Sequence, residues 1–209
     1  MIIAVDGPTA SGKGTIARAI GAHFGLPHLD TGLLYRAVGY QCFLDGGEPN
    51  SLADALAACA FPDSLLDDPE LRSETTGALA SKVSVHPPVR RALYEKQRWF
   101  ATQPGGAVLD GRDIGTVIAP DADVKLFVTA SVDARAARRY AEMRNAGRSV
   151  TLEAIKADIA ARDARDMNRA EAPLRPSDDA FVLDTTHFDR DQAIAMALEI
   201  IEENRSVPT

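Results

Sequence analysis

The chain has 209 residues, 45% of them apolar and 25% charged, the balance of a soluble globular protein long enough to close one core without disulfides. Its formal net charge of −7 argues against broad binding to nucleic acid or anionic membrane, and no apolar run is long enough to cross a bilayer. Two cysteines, Cys42 and Cys59, form no metal-ligand pattern, and the start MIIAVDG lacks a basic leader, so the chain reads as a reduced, mature cytoplasmic protein.

IIAV (residues 2–5) is a β-branched run, too short for a helix and stopped by DGP, which predicts a buried strand of a parallel sheet. GPTASGKGT (7–15) follows as a glycine-rich turn, and TIARAIGAHFG has helical spacing with Gly25 as its C-cap. PHLDTG (27–32) is a weaker strand signal. AVLDG (107–111), VKLFVTA (124–130) and AFVLDT (180–185) are short apolar segments ending in acidic or turn residues. PPVRRALYEKQRWFA predicts a helix opened by proline, VDARAARRYAEMRNAG a second ending near Gly147, and TLEAIKADIAARDARDMNRA a long polar third. DRDQAIAMALEIIEEN closes the chain. Strands separated by helices predict βαβ units, and so an α/β fold with a doubly wound, five-stranded parallel sheet covered by helices on both faces.

Strand, loop and helix around GPTASGKGT are the setting of a phosphate-binding loop. Gly7 and Gly12 let the backbone curl so that N–H groups point at phosphate oxygens, and the helix adds its positive end. Gly7, Pro8, Thr9, Ala10, Ser11, Gly12, Lys13, Gly14 and Thr15 are therefore the candidate ATP-binding residues, with Lys13 the charge for the outer phosphates. The usual pattern places Ser or Thr directly after the lysine, where it helps hold Mg²⁺. Here Gly14 intervenes. Unless Thr15 reaches the ion, Mg²⁺ rests on phosphate oxygens and water. Asp110, at the end of AVLD, either orients that water or caps the turn behind it. The chain has no base-reading NKxD and no strand ending in Asp-Glu for ATP hydrolysis.

Charge is unevenly placed. Residues 135–169 hold nine basic groups against five acids, and residues 45–74 hold eight acids against Arg72. Asp158, Arg162 and Asp166 stand four apart, so a solvated helix face laced with ion pairs is one reading. Beside a phosphate loop, a positive lid over phosphates is the other. DTGLLYR (30–36) supplies Thr31, Tyr35 and Arg36 after a strand, and DGRDIGT (110–116) supplies Arg112 and Asp113. Loops at the carboxyl ends of parallel strands face the ligand crevice. Arg162, Arg165 and Arg169, at i, i+3 and i+7, share a helix face by spacing. Arginine's planar fork suits phosphate oxygens.

His23, His28, His86 and His187 are scattered and read as structural, so no general base stands out. An alcohol acceptor needs one; a phosphate does not. A phosphomonoester is largely dianionic at pH 7, with a second pKa near ~6. Its attack on ATP needs charge neutralisation and in-line placement. The pattern points to phosphoryl transfer onto a monophosphate.

Together GPTASGKGT, LDTGLLYR, LASKVSVHPPVR, DGRDIGTVIAPDADVKLF and RDARDMNRAEAPLRPSDDAFVLDTT resemble the bacterial cytidylate kinases, in order and over most of the chain. The loop with glycine between lysine and threonine is shared with nucleoside monophosphate kinases generally; DGRDIGT and RDARDMNRAEAPL are the specific motifs. The resemblance implies transfer of the γ-phosphoryl of Mg-ATP to CMP or dCMP. It implies that Arg36, Arg90 and Arg112 hold the CMP phosphate, that Ser81, Arg112 and Asp113 meet the cytosine edge, and that Thr31 and Tyr35 line the nucleoside pocket. Asp166 and Arg169 would contact the sugar side. Lys13, Arg112, Arg162 and Arg165 would stabilise the transferring group. It further implies a single domain over 1–209, with a P-loop core at 1–40 and 90–209, a monophosphate-binding insert at about 41–89 and a lid at about 140–170. The insert departs from the family's small antiparallel sheet: it is short, acidic and without alternating apolar residues, so a trimmed, mostly helical insert is expected. The chain is expected to act as a monomer on ATP and CMP or dCMP, with no nucleic-acid or membrane partner. A kinase of another phosphorylated acceptor such as UMP, or an ATP-binding switch with little turnover, remain the alternatives.

Overall fold

The structure, a computed structural model, describes residues 1–205. Strands β1 (Ile2–Asp6), β2 (His28–Asp30), β3 (Ala107–Gly111), β4 (Val124–Thr129) and β5 (Phe181–Asp184) form one sheet in the order β2-β3-β1-β4-β5, with every pairing parallel. This is the expected doubly wound sheet. Its strand order turns back at β1, so a crevice opens beyond the carboxyl end of that strand.

The helices are α1 (Lys13–Phe24), α2 (Thr31–Leu44), α3 (Leu52–Ala57), α4 (Glu74–Val83), α5 (Pro87–Ala101), α6 (Val132–Asn145), α7 (Leu152–Asn168) and α8 (Arg190–Asn204). Because side chains alternate along a strand, β1 needs apolar residues on both faces. Ile3 and Val5 pack with Val108, Leu126 and Val128 against Ile16 and Ile20 of α1 and Ile201 of α8. Ala4 and Leu109 face the other way, against Ala101 of α5 and Ile114 and Ile118 of a single π-helical turn after β3.

Three further apolar clusters lie off the sheet, the smallest joining Ala37 of α2 to Leu65 and Leu71. Leu34 and Val38 of α2 pack with Ala55, Val83, Val89 and Leu93 from α3, α4 and α5. Ala136 of α6 packs with Ile155 and Ile159 of α7. Residues 45–86 hold α3, α4 and three short 3₁₀ turns, and no strand. The borders expected at 41 and 89 fall inside α2 and α5, which run on to Leu44 and begin at Pro87. Ser51, Ser73, Ser131 and Thr151 each cap the following helix by accepting from its third amide.

The turn after β1 is packed too closely for any side chain. A Cβ on Gly7 would sit 2.0 Å from the Val128 carbonyl oxygen, at a φ of +153°. Gly7→Ala is therefore expected to push β1 away from β4 and destabilise the fold by about 2 kcal/mol or more, the range of overpacked cores. Urea unfolding measures it; an unchanged midpoint would contradict the close approach.

Candidate active site

The crevice beyond β1 is a cleft of about 790 Å³. Its floor is the phosphate loop. Gly12 takes a left-handed conformation as N-cap of α1, and Ala10 has a φ of 57°. Thr9, Ala10, Gly12, Lys13, Gly14 and Thr15 line the cleft, while Gly7, Pro8 and Ser11 are buried beneath it. Gly14 leaves room for a Cβ 3.6 Å from Asp110 Oδ2.

Thr31, Tyr35 and Arg36 reach one wall from α2, whose N-cap is Asp30. The Thr31 hydroxyl donates to the Asp110 carbonyl at 2.8 Å, so α2 is tied to the end of β3. Arg36 donates to the carbonyls of Leu71 and Ser73, both at 2.8 Å, and lies against Gly77 of α4. Ser81, on the same helix, keeps a buried hydroxyl with no partner in the protein. Arg90 stacks over the Tyr35 ring, 5.7 Å from its centroid, and donates to Asp113. Arg169 approaches the other Asp113 oxygen at 3.5 Å.

α6 and α7 close the far side. Asp166 accepts from Arg112 Nε at 2.9 Å, not from Arg162 as the four-residue spacing suggested. Arg162 instead stands 3.8 Å from both Asp158 and Glu74, and Glu74, on α4, also pairs with Arg139. Part of the basic stretch is thus no solvated face: Arg162 is only 8% exposed and Arg135 4%, whereas Arg144, Arg148 and Lys156 are exposed. Arg165 does not join the cleft, and its Nε is buried without a partner. At about 100° per residue, an i+3 step turns the side chain roughly 60° back from Arg162, away from Asp166. Arg169 does reach the cleft, because the chain turns extended there after α7 ends.

Several residues here were not anticipated. Arg135 donates to the carbonyls of Thr9 and Ala130 and, at 2.7 Å, to Asp163, fastening α7 to the phosphate loop. It stood within the basic stretch, but nothing marked it as a buried strut. Asp30 and Glu74 line the cleft beside the expected residues. His28 holds Asp110 Oδ1 at 2.7 Å, fixing a carboxylate whose Oδ2 faces Gly14. That pair is invisible in sequence, since 82 residues separate it.

The electrostatics run one way. Burial, aided by Arg112, pushes Lys13 down to about 8, and burial, aided by Arg162, pushes Arg36 down to about 10. Arg162 and Arg169 are lowered by burial as well. For Arg112 burial also acts against the charge, but Asp166 holds it above its ordinary value. Cations taken out of water beside one another are destabilised unless an anion joins them. The cleft is built to receive a polyanion. Among the described residues no cluster of three or more His, Cys, Asp or Glu side chains is arranged to hold a metal. Thr15, Asp30 and Asp110 line the cleft and carry hydroxyl and carboxylate oxygens, hard donors of the kind Mg²⁺ takes alongside phosphate and water.

The family model described as "Cytidylate kinase" matches residues 3–203. The chain belongs to the cytidylate kinase family. It is similar to the cytidylate kinase of Methylocella silvestris, with 56% identity over 206 residues, covering 97% of this chain and 94% of that one. Similar proteins include those of Granulibacter bethesdensis (55% identity, 96% of each chain) and Xanthobacter autotrophicus (53%, 99% of each). This family member is accordingly a phosphotransferase. Its compact helical segment 45–86 does not shorten it against such relatives, which it matches nearly end to end. An uncharacterized protein from Eubacterium ventriosum shares the fold, with a TM-score of 0.56 at 16% identity over 97% of this chain and 98% of that one.

With Lys13 held near 8, the free protein loses that charge as pH rises from 7 to 9, whereas bound polyphosphate favours the ammonium. Binding of ATP is therefore expected to take up a proton near pH 8, and affinity to fall by up to about tenfold per pH unit above it. Calorimetry in buffers of different ionisation enthalpy reads the proton directly; no uptake would place Lys13 in its ordinary range.

Proposed function

We propose that this chain moves the γ-phosphoryl group of Mg-ATP onto the phosphate of CMP or dCMP, giving ADP and CDP or dCDP. The observation that carries the reading is the cleft itself: desolvated Lys13, Arg36, Arg112, Arg162 and Arg169 around one space, with Asp113 set between Arg90 and Arg169. A phosphate oxygen of CMP attacks the γ-phosphorus as the bond to the ADP oxygen breaks. No general base is required, because the acceptor already carries its negative charge.

Lys13 and the amides of the phosphate loop hold the β- and γ-phosphates. Thr15 and Asp110 Oδ2 are the protein oxygens that would face Mg²⁺, whose chemistry is to neutralise charge on the phosphates. Arg36, Arg90 and Arg112 take the CMP phosphate, and Thr31 and Tyr35 line its nucleoside. The unpartnered Ser81 hydroxyl, with Arg112 and Asp113, meets the cytosine edge. Cytosine offers an N4 donor there, which a carboxylate accepts and which uracil lacks. Asp166 and Arg169 lie on the sugar side. Arg162 stabilises the transferring group once Glu74 releases it. Arg165 contacts no substrate unless α7 rotates.

The segment between α2 and α5 serves as the monophosphate-binding insert and the α6–α7 hairpin as the lid, which keeps water from competing as acceptor. We take the protein to act as a monomer, each chain holding a complete cleft of its own. No helix of the described residues is long and apolar enough to cross a membrane, and a cytoplasmic site of action follows from the substrates proposed.

ADP release from Mg-ATP with CMP, dCMP, UMP, AMP and GMP tests the reading. Fast turnover on CMP and dCMP alone is expected. Equal turnover on UMP would remove Asp113 from base selection, and no acceptor-dependent turnover would leave an ATP-binding switch. Arg162→Ala should lower kcat by about 10³-fold with little change in ATP binding; an unchanged rate would take Arg162 out of the mechanism.

A further inference from the structure

Asp6, the last residue of β1, ends the central strand beneath the cleft and is 5% exposed. Its two carboxylate oxygens accept from the backbone N–H groups of Ile114 and Gly115, each at 2.8 Å. These amides open the π-helical turn Ile114–Ile118, whose own bonds run from Val117 and Ile118 back to Asp113 and from Ala119 to Ile114. As the first amides of the turn, they have no carbonyl upstream to accept them.

A residue at the N-cap of a turn ordinarily supplies that acceptor from its own side chain. Here the N-cap is Asp113, an excellent capping residue, and its side chain makes no capping bond. It reaches Arg90 and Arg169 instead. We propose that Asp6 is a positioning residue: by capping the turn from a neighbouring strand, it releases Asp113 to face the cleft and fixes where Asp113 stands. This rests on the reading that Asp113 selects the cytosine edge.

Asp6 immediately precedes the phosphate loop, so one buried side chain sets the acceptor loop against the donor loop. The arrangement also explains a buried acid with no cationic partner: burial pushes Asp6 up to about 7, with Asp113 adding to the rise, while the two amides and Arg112 oppose it. At pH 8 the carboxylate form that caps both amides prevails.

Asp6→Asn tests the inference at pH 8. The carboxamide keeps one acceptor and turns an N–H₂ toward the other amide, so Asp113 becomes the better cap and swings from the cleft. Misplacing a substrate-facing group by about 1 Å can cost up to about hundredfold. We expect KM for CMP to rise at least about tenfold, kcat to stay within about threefold, the ATP Kd to stay within about twofold, and the preference for CMP over UMP to narrow. In an Asp113→Ala background, Asp6→Asn should add less than about twofold, since the route through Asp113 is gone. A folded variant with unchanged KM for CMP, equal losses for ATP and CMP, or full additivity with Asp113→Ala would each overturn it. If Asp6→Asn does not fold, amide exchange in the wild type replaces it. Saturating CMP should slow exchange at Ile114 and Gly115 at least about tenfold, and ATP alone should not; equal effects would overturn the inference. A wild type without CMP-dependent ADP release would overturn the function and this inference together, whereas an active wild type with an unchanged variant would overturn the inference alone.

Discussion

Positive charge held out of water governs this structure. Lys13, Arg36, Arg162 and Arg169 all lose part of their preference for the charged form through burial and mutual repulsion. A fold tolerates that only where internal anions sit close by. Asp166 answers Arg112, Asp113 stands between Arg90 and Arg169, Asp163 takes Arg135, and Glu74 meets Arg139 and Arg162. The acids compensate the cations without saturating them. Incoming phosphates meet preorganised donors, and the electrostatic work of gathering those donors is done during folding.

The on-sheet and off-sheet cores divide the labour. The two faces of β1 anchor the phosphate loop rigidly, since β1 and β3 are buried along their central residues. The α2–α5 cluster carries Arg36, Ser81 and Arg90 on a body with its own apolar centre. The α6–α7 pair has a much smaller one, built around Ala136, Ile155 and Ile159. A small core, bound to the rest by polar struts such as Arg112–Asp166 and Arg139–Glu74, suits the lid proposed for it.

Much of this was legible in the sequence because it rests on local rules. The β-branched run before DGP and the glycines of the loop each act within a few residues, and the five strands and the helices α1, α5, α6, α7 and α8 fell where such signals stood, whereas α2 carried no such reading. The absence of strands from residues 45–86 followed from the lack of alternation there. What could not be read depends on residues far apart in sequence. Helical spacing paired Asp166 with Arg162, yet Arg112 competes from the loop after β3 and wins. Spacing also grouped Arg165 with Arg162, but i+3 and i+4 neighbours diverge around a helix, and only the latter meets the cleft. His28 read as structural, and it is, but its partner is the Asp110 carboxylate at the cleft floor.

The phosphate loop stands early in the sequence, yet its partners come from far along it. The Ser11 carbonyl accepts from the Thr185 hydroxyl, 174 residues later, and Thr9 is held by Arg135, 126 residues later. During synthesis from the N-terminus, β1 has no partner in the sheet until β3 and no second one until β4, and its loop waits for the end of β5. Contacts of such separation form late, because chain closure precedes any reward. A ribosome-bound fragment ending before β5 would carry the whole glycine-rich motif without its finished cradle.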